Sequence, residues 1–322
     1  ILSILPFSFD YGLNQLLTGL EHGATVILLS FRFPNEVVRA IQEERVTGLA
    51  GVPSFWSLLT QPGSSAHKQS LPTLRYITNS GGHIPKTLLD GMRSAFPPTR
   101  VYLMYGLTEA FRSTYLPPDE NDNRPGSMGK AIPDTEIYVI DDDGKPCAPG
   151  EIGELVHRGP TVSLGYWGQP ETTARVIRPN PLLPPELGSS EQVCYSGDLV
   201  KMDDDGYLYF EGRRDATIKS SGYRISPNEV EEVLVSSGMV REAAAIGVPD
   251  DLLGQAVMAV VVAHDGQPVD HGALLEMCAH KMPRYMVPRR LEVVDELPKT
   301  AHGKIDYPTL RKRAAEAEAA GS

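Results

Sequence analysis

The first 135 residues alternate continuous apolar runs with amphipathic helical patterns. The runs ATVILLS, TGLAGVP and LRYITNSGG are typical of buried strands, whereas PNEVVRAIQEERV has the period of a helix with one apolar face. Strand–helix alternation predicts a parallel sheet with helices on both faces. Ligands bind such sheets at the carboxyl ends of the strands, and TNSGGHIP and MYGLTEA both occupy that position.

The pattern changes after residue 135. EIYVIDDDGKPCAPGEIGELVHRG and DDDGYLYFEGR combine short alternating strands with Asp-Gly and Pro-Gly turns, which predict hairpins closing a small barrel. Beyond residue 214, two helical patterns, SPNEVEEVLVSSG and HGALLEMCAHKM, flank the strand runs AAAIGVP and QAVMAVVVAHDG. We therefore predict an α/β protein with three regions: an incomplete half of a doubly wound parallel sheet (1–135), a β-barrel subdomain (136–214) and a C-terminal α+β domain (215–322).

Composition narrows the class of protein. The chain is 41% hydrophobic and 22% charged, and it has no apolar run of the roughly 20 residues that a membrane span needs. Its net charge of −11 argues against a basic face for binding nucleic acid. The three cysteines, Cys147, Cys194 and Cys278, are widely spaced and odd in number. That pattern predicts neither a disulfide framework nor a metal site, and it favours a cytoplasmic location.

Four motifs occur in a fixed order along the chain. They are YGLTEA (105–110), YSGDL (195–199), GRRDATIKSSGYRISPNEVEEVL (212–234) and LPKTAHGKIDY (297–307). In this order and spacing, from Pro6 to Tyr307, the chain resembles the adenylate-forming superfamily of acyl-CoA synthetases, peptide-synthetase adenylation domains and luciferases. The resemblance implies an AMP-forming ligase that joins AMP from ATP to a carboxylic acid. It also implies transfer of the acyl group to a thiol, either of CoA or of a carrier-protein phosphopantetheine.

Nucleotidyl transfer brings two anions together, so the site must supply positive charge. Lys304, beside the flexible Gly303, is the candidate cation. A unit charge at about 4 Å in an effective dielectric of about 20 contributes ~4 kcal/mol, which is a factor of hundreds in rate. By resemblance, Lys304 bridges the substrate carboxylate and the α-phosphate. The competing interpretation is a solvated surface lysine.

YGLTEA and YSGDL supply candidate nucleotide contacts. Glu109 is a candidate Mg²⁺ ligand, Thr108 offers a hydroxyl to a phosphate, and Tyr105 offers a flat face to adenine. The alternative for YGLTEA is a turn in which Thr108 caps a helix. We expect Asp198 to follow a glycine turn at the end of a strand and to accept the ribose hydroxyls. The alternative is an aspartate that caps its own backbone.

Other site residues are implied by the resemblance. Gly81 and Gly82 form the paired-glycine turn beside adenine and the acyl pocket. His83 departs from the Ala or Glu of many members, so no role is assigned to it. Arg213 is the second expected ribose contact, and Arg224 would steady the phosphates.

The same resemblance makes the C-terminal domain a mobile lid. Asp215 is its hinge. One face, with Lys304, would serve adenylation, and the other, with Lys219 and Gly222, would serve thioester formation.

The segment FSFDYGLNQL bears on the substrate. Asp10 matches the aspartate that answers the α-ammonium group in peptide-synthetase domains, and an unpaired buried carboxylate would cost several kcal/mol without such a cation. Tyr11, Asn14 and Met104 would line the same pocket. The alternatives are an Asp10 that caps a helix, and activation of a fatty or aryl acid.

The glycine-rich phosphate loop of the superfamily should precede FSFD, and the sequence does not contain it. The chain also opens at Ile1 without the features of a signal peptide. We therefore expect a fragment that adenylates weakly or not at all by itself. A competing hypothesis is a non-catalytic remnant that docks a carrier protein. The presence of Glu109, Asp198, Lys219 and Lys304 argues against it.

Overall fold

A parallel sheet with helices packed against it forms the N-terminal part of the chain. The computed structural model describes residues 1–61, 63–82, 84–188, 191–214, 216–220, 223–250, 252–264, 268–300 and 303–321. Five parallel strands alternate with four helices: β1 (Leu2–Ser3), α1 (Asp10–Glu21), β2 (Ile27–Leu28), α2 (Pro34–Glu43), β3 (Gly48–Gly51), α3 (Pro53–Leu59), β4 (Tyr76–Asn79), α4 (Lys86–Ala95) and β5 (Arg100–Leu107). Their order, β2-β1-β3-β4-β5, confirms the predicted parallel sheet.

Apolar side chains from both helices and strands fill the core of this sheet. Trp56 of α3, Ile77 of β4 and Met92 of α4 are fully buried in one cluster. Each side chain of this size contributes about 1.5–3 kcal/mol when it leaves water. This burial fixes the loops at the carboxyl ends of β4 and β5, where the predicted site residues lie.

One strand prediction was wrong in its extent. Of the run ATVILLS, only Ile27 and Leu28 form a strand, and Leu28 is 64% exposed. Among the described strands, β2 lies at the edge of the sheet and has β1 as its single partner. The continuous apolar run ATVILLS therefore contains a short edge strand and not a strand buried on both faces.

After β5 the sheet continues with antiparallel strands. These elements are β6 (Ala110–Leu116), β7 (Ser127–Ala131), β8 (Glu136–Ile140), β9 (Ile152–Arg158), α5 (Pro170–Val176), β10 (Ile177–Pro179), α6 (Pro185–Gly188), β11 (Gln192–Met202) and β12 (Leu208–Arg213). Their order is β6-β7-β12-β11-β9-β8, with β10 beside β11. The predicted hairpins are confirmed, with Gly144 and Gly206 at positive φ in their turns. The closed barrel stays a prediction.

The chain divides into two compact units, Ile1–Phe210 and Glu211–Ser322. The second unit contains β13 (Ile218–Ser220), β14 (Tyr223–Ile225), α7 (Pro227–Val235), β15 (Val240–Asp250), β16 (Gly254–Ala263), α8 (His271–Lys281), β17 (Arg290–Val293) and α9 (Tyr307–Gly321). Its sheet has the order β14-β13-β16-β15, with β17 parallel to β16. The predicted boundaries at residues 135 and 214 stay predictions.

The alternation of side chains along β15 builds two cores in the second unit. Ala243 and Ala245 pack with α7 and α8, whereas Ala244 and Ile246 pack with α9. Within the described part of the chain, no helix combines the length and the apolarity that crossing a membrane requires.

Candidate functional site

YGLTEA forms the tight reversal between β5 and β6. Leu107 pairs with Ala110, so Thr108 and Glu109 are the two residues of the turn. A strand and not a helix follows, which excludes the helix-capping alternative for Thr108. Gly106 is required here because a Cβ at this position would lie 2.5 Å from the backbone nitrogen of Arg112. The turn presents Thr108 exposed and Glu109 half-buried.

Asp198 lies within β11 and not at the end of a strand, which corrects the prediction from YSGDL. Gly197 has φ +72°, and the pairing of β11 with β9 shifts register between Tyr195 and Leu199. This irregularity resembles a β-bulge, which commonly redirects a side chain near a binding site. The glycine signal was therefore real, but the strand continues through it because β9 keeps pairing on both sides.

The redirected carboxylate meets the candidate adenine-binding residue. Tyr105 donates a hydrogen bond from Oη to Oδ2 of Asp198 at 2.5 Å, and Asp198 is only 6% exposed. The structure thus brings together the residues predicted to contact adenine and ribose, although β5 and β11 are far apart in sequence.

The Tyr105 ring is supported by a residue that no sequence motif singled out. His157 of β9 stacks on it, with centroids 6.0 Å apart and ring planes 14° apart. Burial lowers the pKa of His157 to about 3, so its imidazole is neutral at physiological pH. Neither ring nitrogen has a hydrogen-bond partner among the described residues. His157 therefore acts as a flat, uncharged packing surface.

Tyr166 was also missed, and it contacts the candidate Mg²⁺ ligand. Its hydroxyl donates to Oε1 of Glu109, and the nitrogen of Ser163 donates to the carbonyl of Glu109 at 2.8 Å. Burial, reinforced by the charge of Glu109, raises the pKa of Tyr166 to about 12. Tyr166 therefore stays protonated and orients the carboxylate. No local pattern in the loop containing Tyr166 predicted this contact across 57 residues.

The described residues do not contain a cluster of three His, Cys, Asp or Glu side chains suited to a metal. Mg²⁺ in nucleotide enzymes commonly uses one or two carboxylates together with phosphates and water. The single oriented carboxylate of Glu109 fits a metal that arrives with a nucleotide.

The paired-glycine turn follows β4. Gly81 has φ +85°, which favours glycine, and the side-chain nitrogen of Asn79 donates to the carbonyl of Gly82 at 3.3 Å. A Cβ on Gly82 would lie 3.0 Å from Cγ of Pro53. The turn therefore lies close to the start of α3. His83 lies outside the described residues.

The four predicted pocket residues lie on α1 and β5. Asp10 is half-buried in the first turn of α1, and its Oδ1 accepts a hydrogen bond from the nitrogen of Tyr11 at 2.8 Å. The Tyr11 hydroxyl hydrogen-bonds with Oγ1 of Thr78 in β4, and burial raises the pKa of Tyr11. Oδ1 of Asn14 is buried without a hydrogen-bond partner among the described residues, and Met104 packs against the core.

A cation that sequence analysis missed lies in the same place. The guanidinium of Arg112 lies 5.3 Å from the centre of the Tyr11 ring. Burial lowers the pKa of Arg112, and the nearby carboxylate of Asp10 is among the groups that oppose that effect. The Asp10 carboxylate is half-buried and accepts a hydrogen bond from the nitrogen of Tyr11, and its contact with an amino-acid ammonium group stays a prediction. The only sequence signal that Arg112 carries is its position two residues after YGLTEA.

The remaining predicted residues belong to the second unit. Lys219 and Arg224 occupy paired positions in the β13–β14 hairpin, and the backbone nitrogen of Lys219 donates to Oε1 of Gln255 at 2.7 Å. Arg213 ends β12, where its carbonyl accepts a hydrogen bond from Oγ1 of Thr217 at 3.0 Å. The predicted hinge Asp215 and the predicted Gly222 lie outside the described residues.

Lys304 is exposed in the loop before α9. Its carbonyl accepts from the nitrogen of Thr300 at 2.7 Å, and Gly303 has φ +78°. An isolated bridge between Lys299 and Ile305 closes the loop. The backbone around Lys304 is therefore held in a compact turn, and the residue is exposed.

Comparison with known proteins agrees with this geometry. Residues 1–167 match the AMP-binding enzyme family, and residues 229–304 match the AMP-binding enzyme C-terminal domain. The chain is 31% identical over 97% of its length to an indoleacetate–CoA ligase of Aromatoleum aromaticum, covering 59% of that protein. It is 33% identical over 91% of its length to a long-chain-fatty-acid–CoA ligase of Salmonella typhimurium, covering 49% of that protein. The chain thus spans between half and three fifths of the length of these curated relatives.

Solved structures show the same relationship. An amide bond synthetase from Marinactinospora thermotolerans superposes with a TM-score of 0.85 at 31% identity, over 97% of this chain and 61% of that one. The o-succinylbenzoate CoA synthetase of Bacillus subtilis, in complex with the acyl-adenylate intermediate OSB-AMP, gives 0.81 at 30% identity, over 97% and 60%. The matched sequence covers both units, and two of the motifs that carry the resemblance, YGLTEA and YSGDL, meet within the first unit through Tyr105 and Asp198. The chain belongs to the family of AMP-binding enzymes.

Proposed function

We propose that the protein carrying this chain is an AMP-forming acid–thiol ligase. It activates a carboxylic acid with ATP to an acyl-adenylate and transfers the acyl group to the thiol of CoA. The hydrogen bond between Tyr105 and Asp198, next to the turn that presents Thr108 and Glu109, is the observation that carries this proposal. A bound nucleotide needs four kinds of group: an aromatic face for the base, a hydrogen-bond acceptor for the ribose hydroxyls, a hydrogen-bond donor for a phosphate, and a carboxylate for the metal.

In this proposal each residue has a separate task. The Tyr105 ring, backed by His157, stacks on adenine, while Asp198 accepts the ribose hydroxyls. Thr108 donates to a phosphate oxygen, and Glu109, oriented by Tyr166, would hold Mg²⁺, which supplies charge neutralisation for the phosphates when bound. The solved o-succinylbenzoate CoA synthetase is a relative known in complex with ATP and a magnesium ion.

The second unit would serve as the mobile lid that turns at Asp215. When Lys304 faces the nucleotide, its ammonium neutralises the oxygens that crowd together as the carboxylate attacks the α-phosphorus and pyrophosphate leaves. In the same orientation Arg213 adds a ribose contact and Arg224 steadies the phosphates. When Lys219 and its hairpin face the site, the thiol attacks the acyl carbonyl and AMP leaves.

CoA is the acceptor favoured by the relatives, since those compared above include CoA ligases acting on indoleacetate and long-chain fatty acids. A carrier-protein phosphopantetheine is the competing acceptor because it presents the same thiol arm. The acid is a plain carboxylic acid or an amino acid. Asp10 supports the amino acid, whereas the nearby Arg112 weakens that support. The three cysteines are free, which suits a reducing cytoplasm.

The test uses the protein as its natural gene encodes it. With ATP, Mg²⁺ and an acid, we expect acid-dependent ATP–pyrophosphate exchange, and hydroxylamine should trap the activated acyl group. Adding CoA should give AMP and an acyl thioester in equal amounts, and a holo carrier protein tested in parallel separates the two acceptors. ADP as the product, or turnover independent of any acid, would overturn the proposal.

A further inference from the structure

Arg112 adopts a strained backbone conformation at the edge of the proposed acyl pocket. Its φ is +47°, a region that residues other than glycine rarely occupy. The residue lies in β6, close against Gly106, and its guanidinium lies near the rings of Tyr11 and Phe111, at 5.3 and 5.5 Å from their centres. Strained conformations of this kind persist where the surrounding structure fixes them, and they concentrate at binding sites.

The polar edge of this guanidinium is unsatisfied. Nε and Nη2 are both buried and have no hydrogen-bond partner among the residues that the structure describes. These two nitrogens lie on the same side of the guanidinium, where their hydrogens form the fork that binds a carboxylate through two parallel hydrogen bonds. A buried donor without a partner is costly, so the arrangement favours a ligand that supplies the missing acceptors.

The neighbouring carboxylate does not meet this need. Asp10 contributes an opposing charge to Arg112, but its Oδ1 is engaged by the nitrogen of Tyr11. Asp10 also lies in the first turn of α1, where the helix dipole favours a negative charge. The Asp10 carboxylate therefore has a local hydrogen-bond donor, whereas Nε and Nη2 of Arg112 have no acceptor among the described residues, and this favours an anionic ligand group over a cationic one.

We propose that Arg112 binds a second carboxylate of the acid substrate, so that this ligase activates one end of a dicarboxylic acid. The inference rests on the proposed function and names its substrate class. One carboxylate attacks the α-phosphorus and displaces pyrophosphate, which forms the mixed anhydride. The other stays ionised on Arg112 and takes no part in bond making. An acidic amino acid fits the same chemistry, with its ammonium group beside Asp10.

The experiment compares acids that differ only in the second carboxylate, using the protein as its natural gene encodes it. Diacids from malonate to sebacate are each paired with the monoacid of equal chain length, and L-glutamate is paired with L-norvaline. ATP–pyrophosphate exchange gives kcat/KM for each acid. A higher kcat/KM for L-glutamate and L-norvaline than for glutarate and pentanoate would indicate that Asp10 binds the ammonium group.

We expect at least one diacid to exceed its matched monoacid by about tenfold or more in kcat/KM, because a site built for a charged partner discriminates strongly. Arg112→Gln should raise KM for the diacid and so remove most of this preference. The same variant should keep kcat/KM for the monoacid within about threefold of the value for the unaltered protein. Arg112→Lys should retain part of the preference because it keeps the charge and loses the fork. Arg93→Gln, which removes an arginine paired with Asp122 on the surface, is the matched control.

Thermal unfolding with and without Mg·ATP shows whether each variant keeps the fold and the nucleotide site. The panel on the unaltered protein is decisive even if Arg112→Gln fails to fold. Equal or better activity with every monoacid overturns the inference and leaves the proposed ligase function standing. Equal losses for diacid and monoacid in a folded Arg112→Gln protein also overturn it. Failure of every acid to support exchange removes both proposals.

Discussion

The phenol of Tyr105 donates to the carboxylate of Asp198 across 2.5 Å, linking two strands that are 93 residues apart in sequence. The bond holds the aromatic ring of Tyr105 and the carboxylate of Asp198, the proposed ribose acceptor, in one fixed relationship. The imidazole of His157 is neutral and is stacked with the Tyr105 ring, nearly parallel to it. A nucleotide entering this site would therefore meet a preformed surface, which lowers the entropy lost on binding.

Two substitutions separate the contribution of the Tyr105 hydroxyl from that of the Asp198 carboxylate. Tyr105→Phe keeps the stacking face, so we expect KM for ATP to rise by no more than about threefold, whereas Asp198→Asn removes a charged acceptor and should raise it by about tenfold or more. Initial rates of ATP–pyrophosphate exchange over a range of ATP concentrations give both values. Tyr138→Phe, which removes a similar bond to Glu136 at 2.7 Å on the surface, is the control. If Asp198→Asn behaves like this control, Asp198 does not bind ribose.

The contact between Tyr166 and Glu109 leads to a second prediction. Glu109→Gln should lower kcat by about a hundredfold or more and raise the Mg²⁺ concentration needed for half-maximal rate, because a neutral amide binds the metal poorly. Tyr166→Phe should cause a smaller loss of about tenfold, since it frees the carboxylate without removing it. Mg²⁺ titrations of the exchange rate measure both effects. An unchanged Mg²⁺ requirement in Glu109→Gln would assign the metal to another residue.

The sequence alone predicts the secondary-structure elements better than it predicts the tertiary contacts of the site. Helices such as α2 and α8 follow from the spacing of their apolar residues, and the strand β16 follows from its continuous apolar run, because both signals lie within a few neighbouring residues. The strand position of Asp198 did not follow, because Gly197 is typical of turns and only pairing with a distant strand keeps β11 extended. The Tyr166 and Arg112 contacts depend on tertiary neighbours, which no local pattern encodes.

The two lysines of the second unit should affect different half-reactions. Lys304→Ala should slow adenylate formation by a factor of hundreds or more, from the loss of about 4 kcal/mol of charge stabilisation. The same variant should form the thioester from a presynthesised acyl-adenylate at a rate within a few-fold of that of the unaltered protein. Lys219→Ala should show the reverse. Single-turnover measurements of each half-reaction test this, with Lys312→Ala, an exposed lysine of α9, as the control. Equal losses in both half-reactions for either variant would contradict the two-face mechanism.

Glu231 makes the stability of the second unit depend on pH. Its Oε1 accepts hydrogen bonds from the nitrogen of Ala245 and from Oη of Tyr307, both at 2.8 Å. Burial outweighs these bonds and raises the pKa of Glu231 to about 7 from its usual 4.5. The folded unit therefore holds a proton that the unfolded chain releases between these two values. The free energy of unfolding of this unit is therefore highest below about pH 4.5. It falls by at most about 3 kcal/mol as the pH rises to about 7.

Glu231→Gln should abolish this dependence, because the amide keeps an acceptor oxygen and never ionises. Relative to the unaltered protein, the variant should be more stable at pH 8 and similar near pH 5. Amide hydrogen exchange at Ala245 reports on this unit, whereas tryptophan fluorescence does not, since both tryptophans, Trp56 and Trp167, lie in the first unit. Glu232→Gln, at the exposed neighbouring position of α7, is the control and should leave the pH profile unchanged. A parallel pH profile for the Glu231→Gln variant and the unaltered protein would show that Glu231 ionises normally in the fold.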